Sequence, residues 1–408
     1  MFISRYLALT WLAVVQAASS KCSFSTTITA ASAVAQLNSC PTLEGTIKVT
    51  GNEIGALDLS GVKEIKADLT LFNSTSVTNV NLNLLKKISG SLSIDALTQL
   101  HAIDFTSLSD IEKLSLVSLP SLAIVNVNTG ISHAQYLQIS DTALSTLQGL
   151  ANFNSVGYLD INNNKNITSI ELASLESVSE NLIFSFNSDE CEVKLDNLQW
   201  ASNITIQDVS SCSISNLTSV NGSAVFGYNL FKNFSMDSLK QVGGSVAIFA
   251  NEELIDIDIS NLKTIGGELR VFNNTLLTEM TLKNLETVKG AVNVAGNFDN
   301  FSLPSLDTIN GDFSFKSSSD EFSCKDFDSA HKDNKIEGHN YNCSAPKPPS
   351  SSSTKSGSKT SDSQSTGGSS ASADSSSKTS SKASEAISLV SPAMVLASLV
   401  GATLALII

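Results

Sequence analysis

Three consecutive stretches of the chain are near copies of one another: LKQVGGSVAI at residues 239–248, LKTIGGELRV at 262–271 and LETVKGAVNV at 285–294. Each begins 23 residues after the previous one and ends in two apolar residues separated by one other residue. This alternation is typical of a β-strand, because successive side chains of a strand point to opposite faces. A unit that recurs at a fixed interval of roughly 20 to 50 residues indicates a repeat architecture.

The same apolar-x-apolar triplet recurs far beyond these three units, at intervals of 20 to 23 residues. A second short apolar-x-apolar element follows many of the triplets, so each unit is predicted to hold two short strands joined by turns. The triplets begin at Ile47, Leu69, Leu92, Leu114, Leu137, Leu159, Leu182, Ile204, Ala224, Val246, Leu269, Val292 and Phe313. Asparagine stands three residues after the second apolar position at Asn52, Asn164, Asn187, Asn229, Asn251, Asn274 and Asn297.

These units predict an all-β fold, a parallel β-solenoid of about 13 coils over residues 19–345, because one unit alone cannot bury its apolar positions. Strands repeat along a sheet at about 4.8 Å, so the rod is expected to be about 60 Å long. The asparagines are expected to hydrogen-bond the backbone of the neighbouring coil, and glycine permits the positive φ of a tight corner. A leucine-rich horseshoe is the nearest alternative, but no helix-length segment separates the strands.

The composition argues against several classes of function. The chain has 408 residues, 41% hydrophobic and 16% charged, so most of it can bury a core. Its net charge of −14 argues against binding to nucleic acid, which depends on Lys and Arg against phosphates. Four histidines and six cysteines leave little material for metal or acid–base chemistry, so we expect no cofactor and no metal.

The N-terminus has the features of a secretory signal peptide. Arg5 is followed by an apolar stretch over residues 6–15 and then by small residues. We predict cleavage after Ala17 or Ala18 and assign residues 1–18 to this signal; a buried N-terminal helix is the alternative. The chain is therefore expected to be exported.

The C-terminus resembles the signal for attachment of a GPI lipid. Residues 346–384 are rich in Ser and Thr, which predicts a disordered, sugar-bearing stalk or a plain flexible linker. Residues 385–408 end in an apolar tail that would be removed, with Ser381 and Ser384 as candidate attachment sites. A simple transmembrane anchor is the alternative, although the tail is somewhat short for a span of about 20 residues.

The six cysteines of an exported chain suggest three disulfides. Fifteen pairings exist for six cysteines. Pairing of neighbours is the economical hypothesis, because the three groups lie far apart in the sequence. The predicted pairs are Cys22 with Cys40, Cys191 with Cys212, and Cys324 with Cys343.

Asn-X-Ser/Thr sequences, the acceptor sites of N-glycosylation, occur nine times. Nine in one exported chain predict heavy glycosylation. The strand register points those that directly precede an inward phenylalanine away from the core. The sites are Asn73, Asn166, Asn203, Asn216, Asn221, Asn233, Asn273, Asn300 and Asn342.

No pattern of catalytic residues stands out. The acidic pairs do not recur at equivalent positions of adjacent coils, so they are interpreted as solvated turns, and we expect no enzyme activity. Trp200 is expected to pack beside Cys191 and Cys212, with stacking on a sugar as the alternative. An exposed row of Tyr136, Tyr158 and Tyr228 would suit glycan binding if the three lined up. The acidic pairs are Asp189/Glu190, Glu252/Glu253 and Asp320/Glu321.

The units follow the pattern L-x-x-[IV]-x-G-x-[LV]-x-[IV]-x-x-N, and with the terminal cysteines they resemble the receptor L-domain, which is related to leucine-rich repeats. Together with the signal peptide, stalk and lipid tail, the chain resembles the fungal GPI-anchored cell-wall proteins of the extracellular-mutant, protoplast-secreted and sporulation-specific type. The resemblance covers residues 21–408. Units near Ile131 and Ala224 depart from the pattern.

The resemblance implies a non-catalytic cell-surface glycoprotein needed for organisation and integrity of the fungal cell wall, with effects on adhesion, biofilm formation and virulence. It implies location at the outer leaflet of the plasma membrane or in the wall. The implied partners are wall polysaccharides and mannoproteins, and the membrane through a lipid. A glycan-binding or glycan-remodelling protein that uses one face of the solenoid is the alternative.

Overall fold

A computed structural model describes residues 22–346 apart from positions 129 and 148. The predicted signal peptide, most of the Ser/Thr-rich stalk and the lipid-attachment signal with Ser381 and Ser384 lie outside these residues. Within them, 32 strands and two helices form one parallel β-solenoid, as the repeat predicts. Elements are numbered in chain order.

One sheet of 21 strands, here called the wide sheet, runs the length of the solenoid. In the earlier coils, one long strand turns a corner and so contributes to two faces of the coil. In the later coils, two short strands, one on each side of the corner, take the place of the long strand. Its strands are β1 (Ser23–Ala30), β2 (Thr42–Glu53), β4 (Glu64–Ile65), β5 (Asp68–Ser74), β7 (Lys87–Leu97), β9 (Asp110–Leu119), β11 (His133–Thr142), β12 (Ser155–Asn162), β14 (Ser177–Ser185), β16 (Trp200–Gln207), β18 (Ser219–Val220), β19 (Ala224–Gly227), β21 (Gln241–Val242), β22 (Val246–Phe249), β24 (Thr264–Ile265), β25 (Leu269–Phe272), β27 (Thr287–Val288), β28 (Val292–Gly296), β30 (Thr308–Ile309), β31 (Phe313–Ser317) and β32 (Tyr341–Ser344).

The remaining strands, here called the side strands, form four small sheets of four, three, two and two strands. They correspond to the second element of each unit. They are β3 (Leu57–Asp58), β6 (Asn79–Asn81), β8 (Ala102–Asp104), β10 (Ile124–Asn126), β13 (Ser169–Glu171), β15 (Glu192–Lys194), β17 (Ser211–Ser213), β20 (Asn233–Ser235), β23 (Asp256–Asp258), β26 (Glu279–Thr281) and β29 (Asn300–Ser302).

Two helices of eight residues each, α1 (Ala31–Asn38) and α2 (Lys325–Lys332), lie near the two ends of the described chain. The repeat pattern did not predict them, because each lies in a segment that occurs only once. In the described part of the chain, neither helix is long and apolar enough to cross a membrane.

The coils stack in register, so equivalent residues of successive units are partners. Leu269 of β25 pairs with Val246 of β22 on one side and with Val292 of β28 on the other. All three side chains are buried, as are the equivalent residues of the other coils. Complete burial of each such side chain stabilises the fold by about 1.5–3 kcal/mol, so the core is a continuous apolar column. The unit at Ala224 also keeps this register, although its sequence departs from the pattern.

Glycine at the corner between the two strand segments of the wide sheet allows coils to approach closely. A Cβ atom added to Gly290 would lie 2.6 Å from the carbonyl carbon of Gly267 in the preceding coil. One added to Gly266 would collide with the carbonyl oxygen of Gly243. The glycines are therefore required by backbone contact between coils, whereas a positive φ was the predicted reason.

A ladder of buried asparagines follows the wide sheet at its other corner. Asn251 accepts hydrogen bonds through its side-chain oxygen from the amide and the side-chain nitrogen of Asn229, both at 2.9 Å. Its own amide and side-chain nitrogen both donate to the side-chain oxygen of Asn274 at 3.0 Å. Its side-chain nitrogen also donates to the carbonyl of Phe226 at 3.2 Å. Each asparagine thus satisfies backbone groups that the turn would otherwise leave buried and unpaired.

The asparagine prediction is right at six positions and wrong at one. Asn52 accepts a hydrogen bond from the backbone amide of Thr75 in the next coil at 2.9 Å, whereas Asn297 accepts one from the side-chain hydroxyl of Ser318 at 3.0 Å. Asn164, Asn187, Asn229, Asn251 and Asn274 are buried. Asn52 and Asn297 are exposed, because they stand in coils near the ends, where the corner differs. Phe298 is buried beside the exposed Asn297.

The side strands are interrupted near the unit at Ile131, as its irregular sequence suggested. In the part of the chain that the structure describes, β10 pairs only with β8 and β13 only with β15. The wide sheet nevertheless continues without a break, because β11 pairs with both β9 and β12. The irregular unit therefore changes one face and leaves the stack intact.

Two of the three predicted disulfides are present. Cys22 is bonded to Cys40 beside α1, and Cys324 is bonded to Cys343 beside α2. The third prediction is wrong in this structure, where Cys191 and Cys212 carry free thiols. The register explains the difference, because β15 and β17 pair Cys212 with Val193, and Cys191 is therefore only a diagonal neighbour. Burial raises the pKa of the Cys191 thiol to about 11, which disfavours its reactive thiolate form.

We predict that replacing Asn251 with Ala destabilises the protein by about 3 kcal/mol or more, because several buried hydrogen-bonding groups lose their partner at once. Urea unfolding of the purified protein measures this loss. Asn297→Ala is the matched control, since Asn297 has the equivalent sequence position but is exposed. Equal losses of stability in the two variants would contradict a structural role for the ladder.

Candidate functional site

The residues that acid–base chemistry would use are dispersed. The six carboxylates of the acidic pairs are exposed, and the pairs lie in different coils. Lys87 forms an ion pair with Asp110 at 3.3 Å on the surface. Among the described residues, no group of three or more His, Cys, Asp or Glu side chains could hold a metal ion. The residues with chemical interest lie instead on the outer surface of the wide sheet.

Two of the three predicted tyrosines line up there. Tyr136 of β11 and Tyr158 of β12 are register partners, and their rings stack with centroids 4.5 Å apart and planes 5° apart. The ammonium group of Lys113, on β9, lies 4.7 Å from the centre of the Tyr136 ring. A cation over a ring face is attracted by the ring quadrupole. Three adjacent strands thus carry a continuous stack on the surface.

A row of polar side chains runs beside this stack. The hydroxyl of Tyr136 donates to Gln138 at 3.1 Å, and Gln138 donates to Asp160 at 3.3 Å. The hydroxyl of Tyr158 donates to Asp160 at 3.2 Å. Lys113, Tyr136, Gln138, Tyr158 and Asp160 are together called the tyrosine cluster. Hydroxyl, amide and carboxyl groups beside an aromatic surface are the side-chain types that suit sugar recognition.

Burial sets the ionisation of this cluster. Burial raises the pKa of the Asp160 carboxyl above its ordinary range, although hydrogen bonds from Asn162, Tyr158 and Gln138 act in the opposite direction. Burial also raises the pKa of both tyrosines, and the nearby Asp160 raises it further. The tyrosines therefore stay protonated and act as hydrogen-bond donors at neutral pH.

Tyr228 does not join this row. It occupies the left-handed corner of its own coil, with φ of 59°, directly before Asn229. Its ring meets Phe249 edge-on, with centroids 5.4 Å apart. Phe249 stacks on Phe272 at 5.2 Å, and the guanidinium of Arg270 lies 5.4 Å from the Phe272 ring. These four residues, here called the phenylalanine cluster, were not predicted. The sequence contained one signal for this cluster: Phe249 and Phe272 occupy equivalent positions, directly after the triplets at Val246 and Leu269.

Trp200 lies at the start of β16 in the wide sheet with 36% of its surface exposed, and its packing beside Cys191 and Cys212 stays a prediction. Its register partners are Ser177 and Ser219 on the neighbouring strands. These small residues leave the indole open to solvent.

Eight of the nine predicted glycosylation sites are exposed. Asn73 and Asn273 occupy left-handed corners with φ of 49° and 57°, a conformation that asparagine tolerates. Asn203 is half-buried on β16, and its side-chain nitrogen donates to the carbonyl of Glu180 at 3.2 Å. From β7 to β14 the strands of the wide sheet contain no such site. Asn203 on β16 continues the register row of Tyr136 and Tyr158, two strands beyond Tyr158. Asn273, in contrast, directly follows Phe272 of the other cluster.

Comparison with known proteins bears on the family. No family model matches the chain, and no solved structure matches it. The chain is 52% identical over 341 residues to the cell surface GPI-anchored protein ECM33 of Candida albicans, a match that covers 83% of this chain and 82% of that protein. It belongs to this family of fungal GPI-anchored cell-wall proteins.

Other members of the family are more distant. The ecm33 protein of Aspergillus fumigatus is 31% identical over 325 residues, or 79% of this chain and 81% of that protein. The cell wall mannoprotein PST1 of Saccharomyces cerevisiae is 35% identical over 216 residues, or 53% of this chain and 48% of that protein. Membership of this GPI-anchored cell-wall family establishes location at the cell surface or in the cell wall and supports a cell-wall role.

We predict that Gly227 is required by the Phe249 ring. A Cβ atom added to Gly227 would lie 2.6 Å from Cζ of Phe249, so Gly227→Ala should destabilise the protein by about 1–3 kcal/mol. In a Phe249→Ala background the same substitution should be nearly neutral. Urea unfolding of the two single variants and the double variant gives the coupling energy. Additive effects would show that the ring does not depend on the glycine.

Proposed function

We propose that this chain is a non-catalytic, GPI-anchored glycoprotein of the cell surface that is needed for organisation and integrity of the fungal cell wall. It contributes in this way to adhesion, biofilm formation and virulence. The observation that carries the proposal is a stack of coils whose wide-sheet strands from β7 to β14 contain no predicted glycosylation site, in a member of a cell-wall protein family. Such a protein acts by contact with wall polysaccharides and mannoproteins rather than by turnover.

The proposed precursor has a defined organisation. Residues 1–18 direct export, residues 19–345 form the solenoid, residues 346–384 form a stalk, and residues 385–408 are exchanged for the lipid at Ser384 or Ser381. Sugars at the nine sites would lie at corners and turns, on the side strands, and on the wide sheet at Asn203 and Asn342. The exposure of eight of these sites supports the glycosylation part of the proposal.

The non-catalytic part rests on the distribution of charged groups. The acidic pairs are exposed and separated, and the buried Asp160 accepts three hydrogen bonds from its neighbours. Paired carboxylates of glycoside hydrolysis must face one bond from two sides at a fixed separation. The names of the relatives are those of surface and wall proteins, which agrees with a role in structure.

We predict that a sugar placed beside the tyrosine cluster abolishes function. Lys113→Asn creates the glycosylation sequence Asn-Leu-Ser over positions 113–115, on exposed β9. A strain that lacks the gene should regain growth on wall-perturbing dyes with the native chain but not with this variant, because the bulky glycan prevents contact.

Two matched controls accompany this experiment. Lys113→Gln removes the charge without adding a sugar, and Glu279→Asn creates Asn-Met-Thr on the exposed side strand β26. Both are expected to restore growth. Normal growth of the deletion strain on the dyes would contradict a need for this protein in wall integrity.

A glycan-binding role is the second candidate, and the tyrosine cluster favours it. Purified protein should co-sediment with at least one of insoluble β-glucan, chitin or mannan. Tyr158→Ala should weaken this binding about two- to tenfold, as expected for loss of one aromatic contact, and Tyr228→Ala should leave it unchanged. Release of soluble sugar from any of the polymers would contradict the non-catalytic proposal.

A further inference from the structure

The first strand of the wide sheet has an open edge. β1 pairs in parallel with β2, and among the described residues it has no strand on its other side. The amide of Glu44 donates to the carbonyl of Cys22 at 3.0 Å, which fixes the direction of the backbone groups. In a parallel ladder with this bond, the even-numbered residues of β1 turn their N–H and C=O groups to β2. Ser23, Ser25 and Thr27 therefore present theirs to the open edge.

This edge lacks the devices that usually prevent pairing. Natural edge strands are protected by charged side chains, proline, bulges or a covering element. The stretch from Cys22 to Leu43 contains no Asp, Glu, Lys or Arg, and β1 contains no proline. The register of β1 is regular from Ser23 to Ile28 and shifts only beyond it. No predicted glycosylation site occurs before Asn73.

The surface beside the edge is equally uncharged. Helix α1 buries Val34 and Leu37 against the core. Its exposed residues are Ala31, Ser32, Ala35 and Gln36, which are small or uncharged. The other end of the solenoid is different, because α2 carries charged residues at five of its eight positions, counting His331, and β32 contains the predicted glycosylation site Asn342.

We propose that the open edge of β1 pairs antiparallel with the same strand of a second copy of this chain, so that two solenoids join end to end. The pairing is self-complementary: with Ser25 on the twofold axis, the odd-numbered residues of the two strands face each other and exchange about six hydrogen bonds. A chain of net charge −14 repels its own copies over most of its surface, whereas residues 22–43 contain no Asp, Glu, Lys or Arg, and the nearest charge before them is the single Lys21.

The arrangement has a consequence for adhesion. The described chain leaves the solenoid after β32, at the end opposite to β1, so the two stalks depart from opposite ends of the dimer. A dimer of this form bridges two opposing surfaces. This consequence rests on the proposed anchorage, whereas the pairing of the edges does not.

Sedimentation velocity of the mature protein, purified from its fungal host, tests the pairing over a range of concentrations. We expect a concentration-dependent dimer. Ser25→Pro removes an N–H group that points to the open edge and leaves the hydrogen bonds to β2 in place, so it should weaken dimerisation at least about tenfold. Ser25→Ala retains that N–H group and should dimerise like the native chain.

A second variant guards against an effect on folding. Ser25→Lys places two like charges directly opposite each other on the axis, so its dimer should weaken at low salt and recover in part at high salt. Hydrogen exchange at Ser25 and Thr27 should slow as the native protein dimerises. A monomer at every concentration, or a dimer that tolerates Ser25→Pro, would overturn the inference. A native protein that stays monomeric at every concentration, while its gene still restores wall integrity, would contradict the dimer inference and leave the proposed function standing.

Discussion

The structure depends on hydrogen bonding at the corner where each coil leaves the wide sheet. A chain that turns sharply inside a stack buries backbone groups that have no partner in their own coil. The column from Asn164 to Asn274 supplies partners from the neighbouring coil, with a single side chain that both donates and accepts. Once the backbone groups of the corner are hydrogen-bonded, the strands on either side of it are held one strand spacing from those of the next coil. Apolar residues at equivalent positions of the two coils then pack against each other.

The same constraint explains how much of the fold was predictable. Side chains that meet their own copies in the next coil leave a periodic mark in the sequence, so the strands, the glycine corner and most of the asparagine column were predicted. Features that occur once leave no such mark. Helices α1 and α2 and the exposed Asn297 belong to this class. Cys191 and Cys212 show a further limit, because proximity in sequence does not reveal a diagonal register.

The candidate surface was predictable only in part. The sequence contained Tyr136 and Tyr158 at equivalent positions, and their stacking follows from the register. It did not show that Gln138 and Asp160 join them, because an outward position can hold almost any side chain. The phenylalanine cluster depends on the absence of a side chain at Gly227, which is visible only when neighbouring coils are placed side by side. The outward residues of the coils can therefore vary freely, whereas the buried residues of the core cannot.

Strand pairing joins each coil to the coil before it and the coil after it, so no strand pairing depends on the total number of coils. The hydrogen bond from Gln135 to Glu180, at 3.1 Å, reaches across two coil steps and is an exception among the side-chain contacts. Duplication or loss of one whole unit of 22 or 23 residues would leave every other contact as it is and change the reach of the molecule by one strand spacing, about 4.8 Å. Units of 20 and 21 residues keep the same register, so small differences in length are accommodated in the turns. An insertion between a triplet and its asparagine would instead push the asparagine column out of line. Length is thus a trait that evolution can adjust in single steps, independently of what the surface binds.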